Sequence, residues 1–162
     1  MIPRELPPMK LRPIHPTPTA DIVAECARSQ AVAHTVESTL ALYERRGFVE
    51  PWIGYLAEEE GNFVGACGFA APAACGEAEI AYFTFPGNEG RGVATRMASA
   101  LIESTRHAAS GIAFIAHTLP EEGASTRILR KLSFECLGIV VHPEDGEVWK
   151  WRECSDYSSQ SR

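Results

Sequence analysis

The chain predicts an α+β domain: a mixed, mostly antiparallel sheet flanked by helices, with one parallel strand pair. Three observations carry this. Glu79-Ile-Ala-Tyr-Phe-Thr-Phe-Pro86 alternates small or charged residues with bulky ones, which is strand periodicity, and Pro86, unable to donate to a ladder, marks its end. It runs at once into Gly87-Asn-Glu-Gly-Arg-Gly-Val-Ala-Thr95, after which Val93, Met97, Ala100 and Leu101 fall at helical spacing. Two polar turns containing glycine, Glu58 to Asn62 and His142 to Gly146, each separate two apolar runs and signal hairpins.

Taken in order, Lys10 to Pro13 reads as a short edge strand. Pro13, Pro16 and Pro18 interrupt regular structure after it, and Thr17 or Thr19 then caps a helix through Ile22, Val23, Cys26 and Ala27. A second helix through Val36, Leu40 and Tyr43 ends at Gly47, a residue suited to a left-handed terminus. Trp52 to Ala57 and Phe63 to Phe69 form the first hairpin, and the glycine turn and its helix come next. Gly111 to Leu119 is a further apolar strand, residues 120–134 carry another helix, and Glu135 to Val141 with Glu147 to Trp151 form the last hairpin. Trp52, Trp149, Trp151, Phe48 and Phe134 read as core or sheet-face residues.

A chain of 162 residues is expected to form one domain. We divide it into a flexible segment at 1–9, a domain at 10–153, and a polar, serine-rich tail at 154–162 expected to be disordered. The net charge of −6 disfavours nucleic acid, whose phosphates need a basic stripe, and suits a cationic amine better. No apolar run reaches the roughly 20 residues of a membrane span, and the proline-rich start lacks the apolar centre of a signal peptide, so a cytoplasmic location is expected. The five cysteines, Cys26, Cys67, Cys75, Cys136 and Cys154, have neither zinc-site spacing nor a disulfide framework. They read as reduced, mostly structural thiols, and no metal is expected.

Gly90 and Gly92 fall where a helix begins, and free N–H groups and the macrodipole there favour an anion. A P-loop needs a lysine, and none occurs between Gly76 and Arg130. A dinucleotide fingerprint needs a third glycine where Thr95 stands and an acidic residue ending the next strand, where His117-Thr118 stands.

The remaining pattern, Glu89-Gly90-Arg91-Gly92-Val93-Ala94 after a strand ending in proline, resembles the coenzyme A turn of the Gcn5-related N-acetyltransferases, the GNAT superfamily. Pro120-Glu-Glu-Gly-Ala-Ser-Thr-Arg-Ile-Leu-Arg-Lys-Leu-Ser-Phe134 is similar to the Pro-Glu-Asn-x-Ala-Ser…Leu-Gly-Phe signature of the branch that acetylates ribosomal-protein N-termini. The resemblance runs from about Trp52 to Trp151. It implies the GNAT fold, whose splayed parallel strands hold acyl-CoA, and an acetyl-CoA-dependent N-acetyltransferase acting directly on a primary amine, as a monomer or homodimer. A non-catalytic acyl-CoA sensing domain is the alternative.

By residue, the resemblance implies that Glu89, Gly90, Arg91, Gly92, Val93, Ala94 and Thr95 hold the pyrophosphate, with Arg91 and Arg96 adding charge. Tyr82, Phe83 and Thr84 present backbone groups to the pantetheine arm, and Ser125 touches the coenzyme, although a helix N-cap explains Ser125 equally well. The chain departs from the pattern at Glu89 for Gln or Arg, Glu122 for Asn, Ser133 for Gly, and Leu129 for the Tyr that serves many members as general acid. Tyr43 and Tyr55 lie on elements the family uses for the acceptor.

Transfer to an amine needs a proton acceptor, because an alkylammonium has a pKa of ~10.4. Glu79 stands where a number of family members place a glutamate general base, and a strand-edge acid is its plainer reading. Glu77, two residues before it and on the same face, is the reserve. His117 reads first as a packed, hydrogen-bonded histidine and second as a proton shuttle.

Overall fold

The computed structural model describes residues 8–154. Residues 1–7 of the expected flexible segment and 155–162 of the expected tail lie outside the described residues. The elements are β1 (Lys10–Pro13), α1 (Ala20–Arg28), α2 (Gln30–Arg46), β2 (Gly54–Glu59), β3 (Asn62–Phe69), β4 (Glu77–Thr84), α3 (Val93–Thr105), β5 (Ala113–Thr118), α4 (Ala124–Lys131), β6 (Phe134–His142) and β7 (Gly146–Glu153).

The seven strands form one sheet in the order β1-β2-β3-β4-β5-β7-β6. All neighbours are antiparallel except β4 and β5. The succession matches the sequence reading, and the last hairpin inserts its second strand, β7, between β5 and β6. That order has a physical consequence. The β4–β5 pairing covers only Glu77↔Ala113, Ala78↔Phe114 and Glu79↔Ile115. Beyond it β4 continues on β3 as far as Thr84, and β5 continues on β7 as far as Thr118. The two parallel strands fork immediately after Glu79, leaving an edge of each without a ladder partner.

Helices cover both faces. The principal core joins α3 and α4 to the sheet through Met97, Ala98, Leu101, Leu129, Phe69, Ile80, Phe114 and Trp151, each at most 4 % exposed. Its close packing depends on Gly65, where a Cβ would lie 2.6 Å from the Phe83 carbonyl oxygen and 2.7 Å from the Met97 sulfur. On the other face, α1 and α2 pack Ile22, Val32 and Val36 against Ile14, Leu56 and Phe85. Trp151 and Phe134 are buried, and Trp52 and Trp149 are partly buried against the principal core, as their size led us to expect. Met9, just before β1, also packs there.

α1 starts at Thr19, whose hydroxyl bonds the Asp21 carboxylate rather than a backbone N–H. α2 starts at Ser29, which accepts the Val32 N–H at 3.3 Å, and stops at Gly47 with φ +89°.

Candidate active site at the strand fork

Register decides what shares a face with Glu79. Gly54 pairs with Gly68 and Leu56 with Ala66; Gly68 pairs with Ala81 and Ala66 with Phe83. Leu56 packs with α1 and α2, and a Cβ on Gly54 would meet Thr39 of α2 at 2.7 Å. Ala81 and Phe83 therefore face that side, and by alternation so do Glu79 and Glu77. The parallel register adds Ile115 and His117, and the β5–β7 register adds Lys150 and Arg152. Between α2 and this face lies a mainly apolar cavity of about 220 Å³, lined by Thr39, Leu42, Gly54, Gly68, Ala81 and Phe83 among others.

Glu79 is the last residue of β4 paired with β5, and its side chain meets a residue the sequence ranked low. Glu79 Oε1 lies 2.8 Å from His117 Nδ1, with the carboxylate 27 % and the imidazole 15 % exposed. His142 of β6 packs on His117, ring centroids 5.2 Å apart and inclined at 61°. Glu77 is engaged elsewhere: both its oxygens accept from Lys150 Nζ at 3.0 Å. The two strand acids are thus separated in role by their partners, one balanced by an ammonium and the other joined to an imidazole.

Glu79, His117 and His142 are the set of His, Cys, Asp or Glu side chains among the described residues whose donor atoms gather within 4.8 Å of one another. Ligands around a tetrahedral zinc, each ~2.0 to 2.2 Å from the ion, stand wider apart than 2.8 Å. The Glu79–His117 contact is a hydrogen bond, in which the pair shares a proton.

The glycine turn opens α3 as expected. Gly92 is its N-cap with φ +71°, a left-handed conformation that strains any other residue. The first intrahelical bond runs from Arg96 N–H to Gly92 O at 3.1 Å. The N–H groups of Val93, Ala94 and Thr95 come before it and have no partner within the helix. Glu89 bends back, its Oε2 accepting the Gly87 N–H at 2.8 Å, and so closes its own turn. Arg91 bonds the Asn88 side chain. Arg96 is bidentate to Glu59, at 2.9 and 3.1 Å, and donates to the Arg91 carbonyl at 2.6 Å. Its charge is already met, so it fixes the turn against β2 instead of adding free positive charge there.

The downstream motif sits at the start of α4. The N-cap is Gly123, and Ser125 is the second residue of the helix, which corrects the capping role considered for Ser125. The Gly123 N–H is instead accepted by the Thr126 hydroxyl at 3.0 Å. Glu122, where the family has Asn, is held by Arg130 at 2.6 and 2.7 Å and by Thr126 at 3.0 Å. Arg130 foremost, then Thr126, lowers its pKa to about 2. Leu129 is fully buried and contributes packing, not an acid.

Of the two tyrosines expected at an acceptor pocket, Tyr55 borders the cavity while its ring packs against the principal core, its hydroxyl donating to Pro51 O at 2.8 Å. Tyr43 is structural: it donates to Ile14 O at 2.8 Å and accepts the Gly54 N–H at 2.9 Å. On β4, Phe83 is largely exposed, while Tyr82 faces the principal core and burial pushes its phenol up to about 12. Cys67 is buried, its thiol pushed up to about 12 by burial, whereas Cys75, Cys136 and Cys154 are exposed, so most are surface residues.

The family model described as "Acetyltransferase (GNAT) domain" matches residues 9–135. The chain belongs to the GNAT acetyltransferase family. It is, accordingly, an acetyl-CoA-dependent N-acetyltransferase. Among solved structures, the ribosomal L7/L12 alpha-N-protein acetyltransferase in complex with coenzyme A is 16% identical, covering 92% of this chain and 95% of that one at a TM-score of 0.68. The Salmonella typhimurium acetyltransferase that modifies the N-terminal serine of L7/L12 is 18% identical, at 92% and 96% coverage and a TM-score of 0.65. A Vibrio cholerae spermidine N-acetyltransferase chimera is 15% identical, at 90% and 94% coverage and 0.63. No curated protein sequence matches the chain significantly. At these identities the likeness shows the GNAT fold, which this sheet topology shares, and leaves the acceptor to chemistry.

Proposed function

We propose that the protein transfers an acetyl group from acetyl-CoA directly to a primary amine, either a peptide N-terminus or a small amine. The observation that supports this best is the fork: the parallel ladder ends at Glu79↔Ile115, one strand from the free amides that open α3. An acyl-pantetheine arm laid along the open edge of β4, against the backbone of Tyr82, Phe83 and Thr84, reaches from those amides to Glu79. Gly90, Gly92, Val93, Ala94 and Thr95 would receive the pyrophosphate, with Arg91 at the exposed rim. Glu89 and Glu122 stand against this anion less than their charge suggests, because one closes its own turn and the other is neutralised by Arg130. Ser125, in the first turn of α4, is assigned to the coenzyme.

The acceptor enters from the opposite side of the fork, through the apolar cavity beneath α2. Glu79 is the carboxylate on which amine deprotonation depends. With the nitrogen neutral, it attacks the thioester carbonyl, the C–N bond forms and the C–S bond breaks. No enzyme nucleophile is required. The reading places the reaction in the cytoplasm, whose conditions keep thiols reduced.

Calorimetric titration of the full chain with acetyl-CoA tests it, followed by acetylation of a panel holding a serine-ended peptide, a lysine peptide and spermidine. Micromolar binding is expected. Ala94→Pro, which removes one turn amide, should weaken it, and the thermal melt reads any cost to the helix separately. Absence of binding, or binding with no amine acetylated, overturns the proposal.

A further inference from the structure

We infer that His117 is the group that takes the amine proton, with Glu79 acting through it as a positioning residue. This deepens the N-acetyltransferase reading and rests on it. The geometry is specific. A carboxylate accepts and cannot donate, so the 2.8 Å contact between Glu79 Oε1 and His117 Nδ1 places the proton on Nδ1 and leaves the lone pair on Nε2. A carboxylate that holds an imidazole in one tautomer, and stabilises the imidazolium formed on protonation, makes it an effective base. His117 also lies two residues past Ile115, inside the fork, whereas Glu79 lies at its closed end.

The surrounding charges suit a proton that arrives and leaves. From β4, Glu77 faces this region already paired with Lys150 of β7, and Arg152 lies on the same face of β7. His142 of β6 packs on the His117 ring; its Nδ1 accepts the Glu144 N–H at 3.2 Å and lies 3.2 Å from the exposed Asp145 carboxylate. In the step, His117 Nε2 takes one proton from the ammonium and the nitrogen lone pair attacks the acetyl carbon. The C–S bond breaks, the nitrogen's second proton leaves with sulfur as the thiol, and His117 returns its proton to water.

Two measurements test this. Nitrogen-15 NMR of the histidine rings in the full chain, which needs no acceptor, should show His117 as the Nδ1–H tautomer and Glu79→Gln should change it. An Nε2–H tautomer in the wild type overturns the inference. The second compares spermidine, or the serine-ended peptide where that is the better acceptor, with an acyl hydrazide, which is already neutral at neutral pH. His117→Gln should lower turnover on the alkylamine by roughly 10²- to 10⁴-fold, leave the hydrazide nearly unaffected and leave acetyl-CoA affinity unchanged; a merely structural role would depress both acceptors alike. Glu79→Gln combined with His117→Gln should be no slower than the worse single variant, since both act through one proton. If the wild type acetylates its amine and His117→Gln does so equally fast, this inference alone falls. If the wild type acetylates nothing, the proposed function falls with it.

Discussion

Tyr43 illustrates how one side chain can be read correctly in place and wrongly in purpose. Its position near the acceptor side was visible from its helix, but its hydroxyl joins two backbone groups, the Ile14 carbonyl and the Gly54 N–H. Tyr43→Phe should leave both unsatisfied at a half-buried site and destabilise the fold by about 1–3 kcal/mol, measured by urea unfolding; an unchanged midpoint would mean that water replaces the hydroxyl. Glu122 is the second residue to carry a prediction. Its folded pKa of about 2 lies below the ordinary 4.5, so its contribution to stability is complete above about 4.5 and is lost as pH falls toward about 2. The stability gap between the wild type and Glu122→Gln should therefore close over that window, and also in high salt, because the pair with Arg130 is exposed. A gap independent of pH would assign the effect to Thr126 instead.

Helix α3 connects local packing to the coenzyme turn. Its approach to the sheet depends on Gly65, where any side chain would collide with the Phe83 carbonyl and Met97. Gly65→Ala should cost about 1–3 kcal/mol and also weaken acetyl-CoA binding, because the helix whose first amides form the proposed anion site would have to shift. Thermal melting and calorimetry read the two effects separately, and lost stability with unaltered affinity would show that the helix tilts without moving its N-terminus. The start of this helix was legible in the glycine spacing and the period change at Val93. The neutralisation of Arg96 by Glu59 was not, since it joins β2 to α3 across residues that no local pattern relates.

The sheet as a unit sets the proposed chemistry, because its fork both leaves open the strand edges assigned to the coenzyme and gathers Glu79, His117 and His142. Glu79→Gln should lower acetyl transfer by roughly 10²- to 10⁴-fold while acetyl-CoA affinity stays nearly constant, since the side chain stands away from the turn amides. Steady-state kinetics with calorimetry would separate these, and unaltered turnover would remove Glu79 from the mechanism.

Alternation, glycine and proline placement, and helical spacing are local properties, and they were enough to predict the element order, the α+β class, the glycine turn that opens α3 and Glu79 as a residue of the strand before it. Strand order, register and side-chain partners are long-range. Only the folded sheet, with β7 set between β5 and β6, brings residues 79, 117 and 142 together, because no local signal in a sequence states which distant strands pair. The same long-range packing assigned Glu77 to Lys150, Glu122 to Arg130 and Leu129 to the core. The chain's local chemistry thus determined where the glycine turn and its flanking strand lie, and tertiary pairing decided which partner each titratable group beside them has.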